Sequence, residues 1–83
     1  MAKNDAVAYK DYMIYPMALY VSPEEKWQPM ALITRDTQEG LTLPRSQSFP
    51  QLSIRFDEED AALGYAVQYG QMLIDGKQQG LTI

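Results

Sequence analysis

The sequence contains no cysteine and no histidine. Without thiolate and imidazole ligands, it offers no ordinary site for zinc, haem or an iron–sulfur cluster. It also lacks a thiol nucleophile and the imidazole base that a serine triad requires. Carboxylates, lysine and tyrosine remain as acid–base groups, but no sequence motif gathers them into a catalytic set. We therefore expect a protein that is not an enzyme and has no catalytic residue, cofactor or metal.

Positive charge is also scarce, since seven Lys and Arg stand against eleven Asp and Glu. Nucleic-acid binding draws much of its affinity from Lys and Arg that neutralise phosphates, so nucleic acid is not an expected partner. The uncharged stretch YMIYPMALYV, residues 12–21, is shorter than the roughly 20 residues of a membrane-spanning helix. The first ten residues lack the apolar run of a secretory signal. We expect a cytoplasmic location and no membrane association.

The length of 83 residues, 46% of them hydrophobic, is enough for one small folded domain and too little for two cores. Residues 1–10 are small and polar without periodicity, which predicts a flexible N-terminal arm. We predict a single domain over residues 11–76. Residues 77–83 are predicted to form a C-terminal tail or a short strand.

Aromatic, β-branched and Met residues predict strands over residues 12–21 and 27–35, separated by the turn sequence SPEEK. Pro44 and Pro50 make residues 41–50 a loop or a short edge segment, because proline lacks the N–H that a central strand donates. The alternation of Leu52, Ile54 and Phe56 with polar residues predicts a further half-buried strand over 51–56. The strands are expected to form an antiparallel sheet of three or four.

A helix is predicted after this third apolar run. Asp57 can cap its N-terminus, and Asp75-Gly76 is a typical stop. Ala62, Ala66, Tyr69 and Leu73 recur at helical spacing and form one apolar stripe. Gly64 and Gly70 are expected to allow close approach to a neighbouring element. The acidic run at 57–60 favours a solvated helix start over a calcium site. The predicted fold class is α+β, with one C-terminal helix packed on one face of the sheet.

Pro16 and Pro29 restrict the register of the first hairpin, because each must turn its missing N–H away from the shared ladder. If the numbers of paired residues add up to an odd value, Pro16 and Pro29 direct their backbones the same way relative to the shared ladder, so both can point away from it. A register in which paired numbers sum to 49, with residues 23–26 as the connecting loop, meets this condition. It pairs Tyr20 with Pro29 and Pro16 with Ile33.

Both faces of this hairpin are apolar, and one helix can cover only one of them. One face carries Met13, Tyr15, Met17, Leu19, Val21, Met30 and Leu32. The other face is the predicted interaction surface and carries Ile14, Pro16, Ala18, Tyr20, Trp27, Pro29, Ala31 and Ile33. Which face meets the helix stays open at this stage. The remaining face can be covered by residues 41–50 with the N-terminal arm, or by a second copy in a homodimer.

The run Trp27-x-Pro29-x-Ala31-x-Ile33, followed by Phe56, Ala62, Ala66, Gly70, Ile74, Asp75 and Gly76, resembles a group of small uncharacterised bacterial domains. In these domains a W-x-P-x-A-x-I strand precedes a helix that ends in I-D-G. The resemblance covers residues 27–76. It implies a compact strand-strand-strand-helix domain and carries no activity.

These features favour a small non-enzymatic interaction module that self-associates through an apolar sheet face or edge and can bind another protein. The alternative is a small-molecule-binding or regulatory domain with a pocket between the helix and the Tyr/Trp-rich strands.

Overall fold

A computed structural model of the chain describes residues 6–35 and 45–83. It contains a four-stranded antiparallel sheet in the order β1-β2-β3-β4 and one helix packed against it. The elements are β1 (Val7–Tyr9), β2 (Tyr12–Val21), β3 (Lys26–Arg35), β4 (Arg45–Pro50) and α1 (Glu59–Asp75). The predicted α+β class is confirmed. No helix in the described part of the chain has both the length and the apolar character needed to cross a membrane.

The first hairpin has the predicted strands but a different register. Paired residue numbers of β2 and β3 sum to 47, so that Pro16 lies opposite Ala31 and Ala18 opposite Pro29. The predicted sum of 49 is wrong because the chain turns back one residue earlier. Val21 pairs with Lys26, and the Glu25 N–H donates to the Val21 carbonyl at 2.9 Å. Because both sums are odd, the predicted division of residues between the two faces is unchanged.

The two prolines turn their missing N–H groups away from the shared ladder, as predicted. The Pro29 carbonyl accepts a hydrogen bond from the Gln51 N–H at 3.0 Å, so the backbone of Pro29 is directed towards β4. Backbone direction alternates along a strand. The register then directs the odd-numbered residues of β2 towards β3 and its even-numbered residues, including Pro16, towards the outer edge.

Two flanking segments pair with the first hairpin, one of them against the prediction. Val7–Tyr9 form a strand paired with Tyr12–Ile14, so a flexible arm is the wrong description for those residues. Residues 45–50 form the edge strand β4, which is the edge alternative for that segment. Residues 1–5 of the predicted arm and residues 36–44 lie outside the described part of the chain.

Residues 51–56 do not form the predicted regular strand. The Ile54 N–H donates to the Gln51 carbonyl at 3.2 Å in a turn, and Leu52 is 71% exposed. Only Phe56 rejoins the sheet, through two backbone hydrogen bonds with Trp27 at 2.8 and 2.9 Å. The β3–β4 pairs sum to 80, so Trp27 would face residue 53 in an uninterrupted ladder. The three extra residues form a loop, so the alternating sequence of this segment does not produce a regular strand.

The helix begins later than predicted and ends where predicted. Glu58, rather than Asp57, occupies the N-cap position and makes no side-chain cap hydrogen bond. Asp57 instead forms an ion pair with Lys26 on the sheet. At the other end, Gly76 has a φ of 81°, and its N–H donates to the Leu73 carbonyl. This left-handed conformation is the one that glycine adopts most readily.

The helix lies across β2 and β3 with its small residues against the sheet. Ala62, Ala66 and Leu73 of the predicted stripe are buried, and Tyr69 is half-buried. Gly70 is also buried, and a Cβ placed on it would lie 2.9 Å from Cγ2 of Ile14. The predicted close approach is therefore confirmed at Gly70. It is wrong at Gly64, which is exposed and has no atom within 4 Å of the equivalent position.

The last residues complete the core beside the helix without forming a strand. Leu81 and Ile83 pack against the cluster of Ile14, Ile33 and Leu73. The Gln47 side chain holds this segment from both sides, because its amide N–H donates to the Gly80 carbonyl at 2.8 Å and its oxygen accepts from the Thr82 N–H at 2.9 Å. The Tyr12 hydroxyl donates to the main-chain oxygen of Ile83 at 2.9 Å.

Candidate interaction surface

The face predicted as an interaction surface lies mostly beneath the helix. Five of its eight residues are buried inside the chain: Ile14, Pro16, Pro29, Ala31 and Ile33. A partner cannot reach these side chains while the helix is in place. Ala18 and Trp27 are half-buried, and Tyr20 is 54% exposed. Only the end of this face nearest the hairpin loop remains accessible.

The size of the residues explains which face the helix covers. Pro16, Ala18, Pro29 and Ala31 present a flat surface to the Ala and Gly stripe of the helix. Small residues on both sides let the backbones approach closely, and Gly70 of the helix leaves room for the larger Ile14 side chain. The opposite face carries long Met, Leu and Tyr side chains. This difference in residue size was a signal in the sequence, and the prediction of the interaction surface did not use it.

The opposite face of the sheet is here called the open face. Its residues on the first hairpin are Met13, Tyr15, Met17, Leu19, Val21, Gln28, Met30 and Leu32, and Lys26 and Thr34 lie on the same face towards the two ends of β3. Tyr15 is 37% exposed and Leu19 is 48% exposed, while Gln28 in their midst is buried. Among the described elements, the helix alone packs on the sheet, and it does so on the other face. No described helix or strand therefore covers the open face.

The outer side of β2 forms a second unpartnered feature, here called the free edge and defined as residues 15–21. Strand β1 pairs only with residues 12–14, and no described strand lies on this outer side of residues 15–21. The even-numbered residues direct their backbone groups outward here. The free edge therefore offers the N–H groups of Ala18 and Tyr20 and the carbonyls of Pro16, Ala18 and Tyr20.

Exposed apolar side chains are concentrated at this edge. Four large hydrophobic residues are exposed in the described ranges, and three of them, Tyr15, Leu19 and Tyr20, belong to the free edge. Tyr15 and Leu19 lie on the open face, whereas Tyr20 lies on the helix side. Tyr20 also contacts Trp27 edge-on, with ring centroids 5.2 Å apart. The exposed apolar side chains therefore lie along the edge of the sheet and belong to both of its faces.

A row of aromatic rings lies between the helix and β4. Phe56 lies 5.5 Å from Tyr65, Tyr65 stacks on Tyr69 at 6.0 Å, and Tyr69 lies 6.4 Å from Phe49, measured between ring centroids. Burial in this row, together with the neighbouring Tyr69, raises the pKa of the Tyr65 hydroxyl. The row joins the helix to β4 and to the residue that bridges β3.

One charged cluster ties the β1–β2 turn to the end of the helix. Asp75 accepts hydrogen bonds from the Lys10 ammonium at 2.5 Å and from the Tyr9 hydroxyl at 2.7 Å. The hydrogen bond from Lys10, followed by that from Tyr9, holds the pKa of the Asp75 carboxyl below its ordinary value. The same hydrogen bonds to Asp75 raise the pKa of both Tyr9 and Lys10. The cluster fixes the local structure and lies away from the open face.

We expect this cluster to make stability depend on pH at the acidic end. Because the pKa of Asp75 is lower in the folded state, its contribution is present at neutral pH and is lost as pH falls below about 4. Urea unfolding of the wild type and of Asp75→Asn should show a difference at pH 7 that shrinks towards pH 2.5. The other carboxyls are common to both proteins and cancel in the comparison. A difference that stays constant over this range would contradict the assignment.

The described residues contain no group of three acidic side chains able to hold a metal ion. Comparison with protein-family models, with curated proteins and with solved structures found no match. The geometry of the open face and the free edge is therefore the basis for the proposed function.

Proposed function

We propose that this protein is a small non-enzymatic interaction module that self-associates through an apolar sheet face or edge. The observation that supports this most directly is the exposure of Tyr15 and Leu19 on a face where no described element packs. Contiguous apolar surfaces of this kind commonly mark protein–protein contacts. The cytoplasmic location expected from the sequence is part of the proposal.

Burial of the exposed side chains provides the driving force for association. Fully burying one large apolar side chain is worth about 1.5–3 kcal/mol, and a partly exposed one is worth a fraction of that. In a symmetric dimer each contribution counts twice, once from each copy. Several half-exposed residues per copy therefore contribute favourably to self-association, against the entropic cost of bringing two chains together. Since residues 12–21 carry no charge, two copies of this strand can approach without electrostatic repulsion.

Charge placed on this surface should prevent association. We expect wild-type protein at tens of micromolar to sediment as two chains, and Tyr15→Lys with Leu19→Lys to sediment as one. Both side chains are accessible from solvent, so lysine can extend into water in the monomer and its fold is retained. The measurement is sedimentation velocity over a hundred-fold range of concentration, with circular dichroism to verify folding.

A matched control adds the same charge elsewhere. Ala61 and Gln68 are exposed on the helix, away from the sheet. Ala61→Lys with Gln68→Lys should leave the mass of two chains unchanged. A wild-type mass of one chain at every concentration would contradict the proposed function, as would equal loss of association in both double variants.

A further inference from the structure

We infer that self-association is edge to edge, with the free edge of β2 pairing antiparallel to the free edge of a second copy about a two-fold axis. This inference rests on the proposed function and specifies its geometry. It assigns the partner as a second copy of the chain and assigns Leu19 to the two-fold axis. The two four-stranded sheets then form one sheet of eight strands, with both helices on the same side.

The hydrogen-bonding groups of the free edge fit a copy of themselves. If the paired numbers sum to 38, Ala18 lies opposite Tyr20 of the second copy, and Tyr20 opposite its Ala18. Both residues direct their backbone groups outward, so each pair exchanges two hydrogen bonds. Four hydrogen bonds form across the axis and use every outward N–H of the free edge.

Pro16 excludes the neighbouring register. With a sum of 36, Ala18 would pair with itself and Pro16 would lie opposite Tyr20 of the second copy. Proline has no N–H, so the Tyr20 carbonyl would then lack a donor. That register would also bring Val21 of the second copy opposite Tyr15, directly beyond the last pair formed by β1. In the register with sum 38, the paired segment ends before Pro16 would have to donate a hydrogen bond and before the second copy would reach the end of β1.

The positions of the exposed side chains also favour association through the free edge. In the register with sum 38, Leu19 faces Leu19 of the second copy on one side of the sheet. On the other side Tyr20 lies beside Ala18 of the second copy. Edge pairing thus covers exposed residues of both sheet faces, whereas stacking of the two open faces would leave Tyr20 uncovered. The free edge also lacks the charged residues and bulges that commonly protect exposed strands from such pairing.

The decisive comparison separates the edge from the face. Ala18→Pro removes an outward N–H and leaves every β2–β3 hydrogen bond intact, as Pro16 already does two residues earlier. Met30→Lys with Leu32→Lys instead charges the open face on β3, away from the free edge. We expect Ala18→Pro to weaken self-association at least ~10-fold, from the loss of two hydrogen bonds per dimer. The β3 double variant should associate as the wild type does.

The opposite pattern, with Ala18→Pro associated and the β3 variant monomeric, would overturn the inference and leave the proposed function standing. Wild-type protein that stays a single chain would overturn both. An edge occupied by another segment of the same chain, or by a foreign strand, would appear as an unchanged mass in Ala18→Pro. That result also counts against the inference.

Two readouts remain if Ala18→Pro folds poorly. In wild-type protein, the amide hydrogens of Ala18 and Tyr20 should exchange at least ~10-fold more slowly when the concentration is raised into the associated range. The Leu19 amide, which is directed towards β3, should show no such dependence. Equal behaviour of the three amides would overturn the inference.

The second readout uses the axis itself. Leu19→Lys and Leu19→Glu should each be monomeric, because like charges meet across the axis at a Cβ separation of about 5 Å. Mixed in equal amounts, they should form a one-to-one pair, since residue 19 then faces its opposite charge. Failure of the mixture to associate more tightly than either variant alone would overturn the register.

Discussion

Replacement of Gly70 by alanine is expected to lower the free energy of unfolding by about 1–3 kcal/mol, the usual range for inserting a methyl group into a packed core. Helix propensity alone predicts the opposite, because alanine is favoured over glycine by about 1 kcal/mol in a helix interior. The sign of the effect therefore reports directly on the contact between the helix and the sheet. Urea unfolding at a concentration where the protein is one chain is the appropriate measurement.

The destabilisation follows from the stiffness of the side chain that Gly70 meets. The added Cβ would lie 2.9 Å from Cγ2, 3.1 Å from Cδ1 and 3.2 Å from Cγ1 of Ile14. Ile14 is fully buried, and as a β-branched residue it has few rotamers into which it can retreat. The helix must then move away from β2, which loosens the packing along the whole Ala and Gly stripe.

Gly64 provides the matched control in the same helix. It is exposed, and a Cβ there meets nothing within 4 Å. Gly64→Ala should therefore raise the free energy of unfolding by about 0.5–1 kcal/mol through helix propensity alone. In a double-mutant cycle, Ile14→Ala should remove most of the cost of Gly70→Ala, because it deletes all three contacted carbons. Equal stabilisation by both glycine substitutions would contradict the packing described here.

The parts of the fold that the sequence predicted well have strong local signals. Strand β2 has the predicted bounds, Tyr12–Val21, because ten consecutive uncharged residues rich in aromatic and Met side chains have few other structures available. The helix ends at Asp75, because Gly76 after it readily adopts the left-handed conformation. The division of the hairpin into two faces was also correct, since both prolines require an odd register.

The parts that were missed depend on interactions distant in sequence. Strands β1 and β4 are short and carry little apolar pattern of their own, and they form because β2 and β3 offer them partners. The predicted register differs from the observed one by two residues, because the register depends on which residues form the loop. Loops of equal length at residues 22–25 and 23–26 both turn the missing N–H groups of the two prolines away from the shared ladder. Residues 51–56 alternate as a strand does, but the chain needs extra length there to enter the helix.

The candidate surface was the least predictable feature, because both faces of the hairpin have similar hydrophobicity. Hydrophobicity indicates that a face needs a cover, whereas the choice of cover depends on shape. Pro16, Pro29 and Ala31 allow a helix of small residues to approach, so that face was covered within the chain. The sequence indicated that one face would need a cover besides the helix, and the residues named for the interaction surface belong mostly to the face that the helix covers.

Ile33→Ala and Leu32→Ala should differ by several-fold in their cost, although they are adjacent residues of the same strand. Ile33 points beneath the helix and is fully buried, with Ile14 opposite and Leu73 in the same cluster. Truncating it leaves a cavity between sheet and helix and should lower the free energy of unfolding by about 2–5 kcal/mol. Values near the upper limit would approach the whole stability of a small domain.

Leu32 points to the open face, is half-buried and has no covering element among the described residues. Its truncation removes a similar volume but leaves a surface depression that water can fill. In the single chain we therefore expect the free energy of unfolding to fall by about 1 kcal/mol or less. Urea unfolding of both variants, at a concentration where the wild type is one chain, measures the difference. If the two truncations cost the same, both faces are packed equally within one chain. The open face would then need no second copy, and its burial would contribute nothing to self-association.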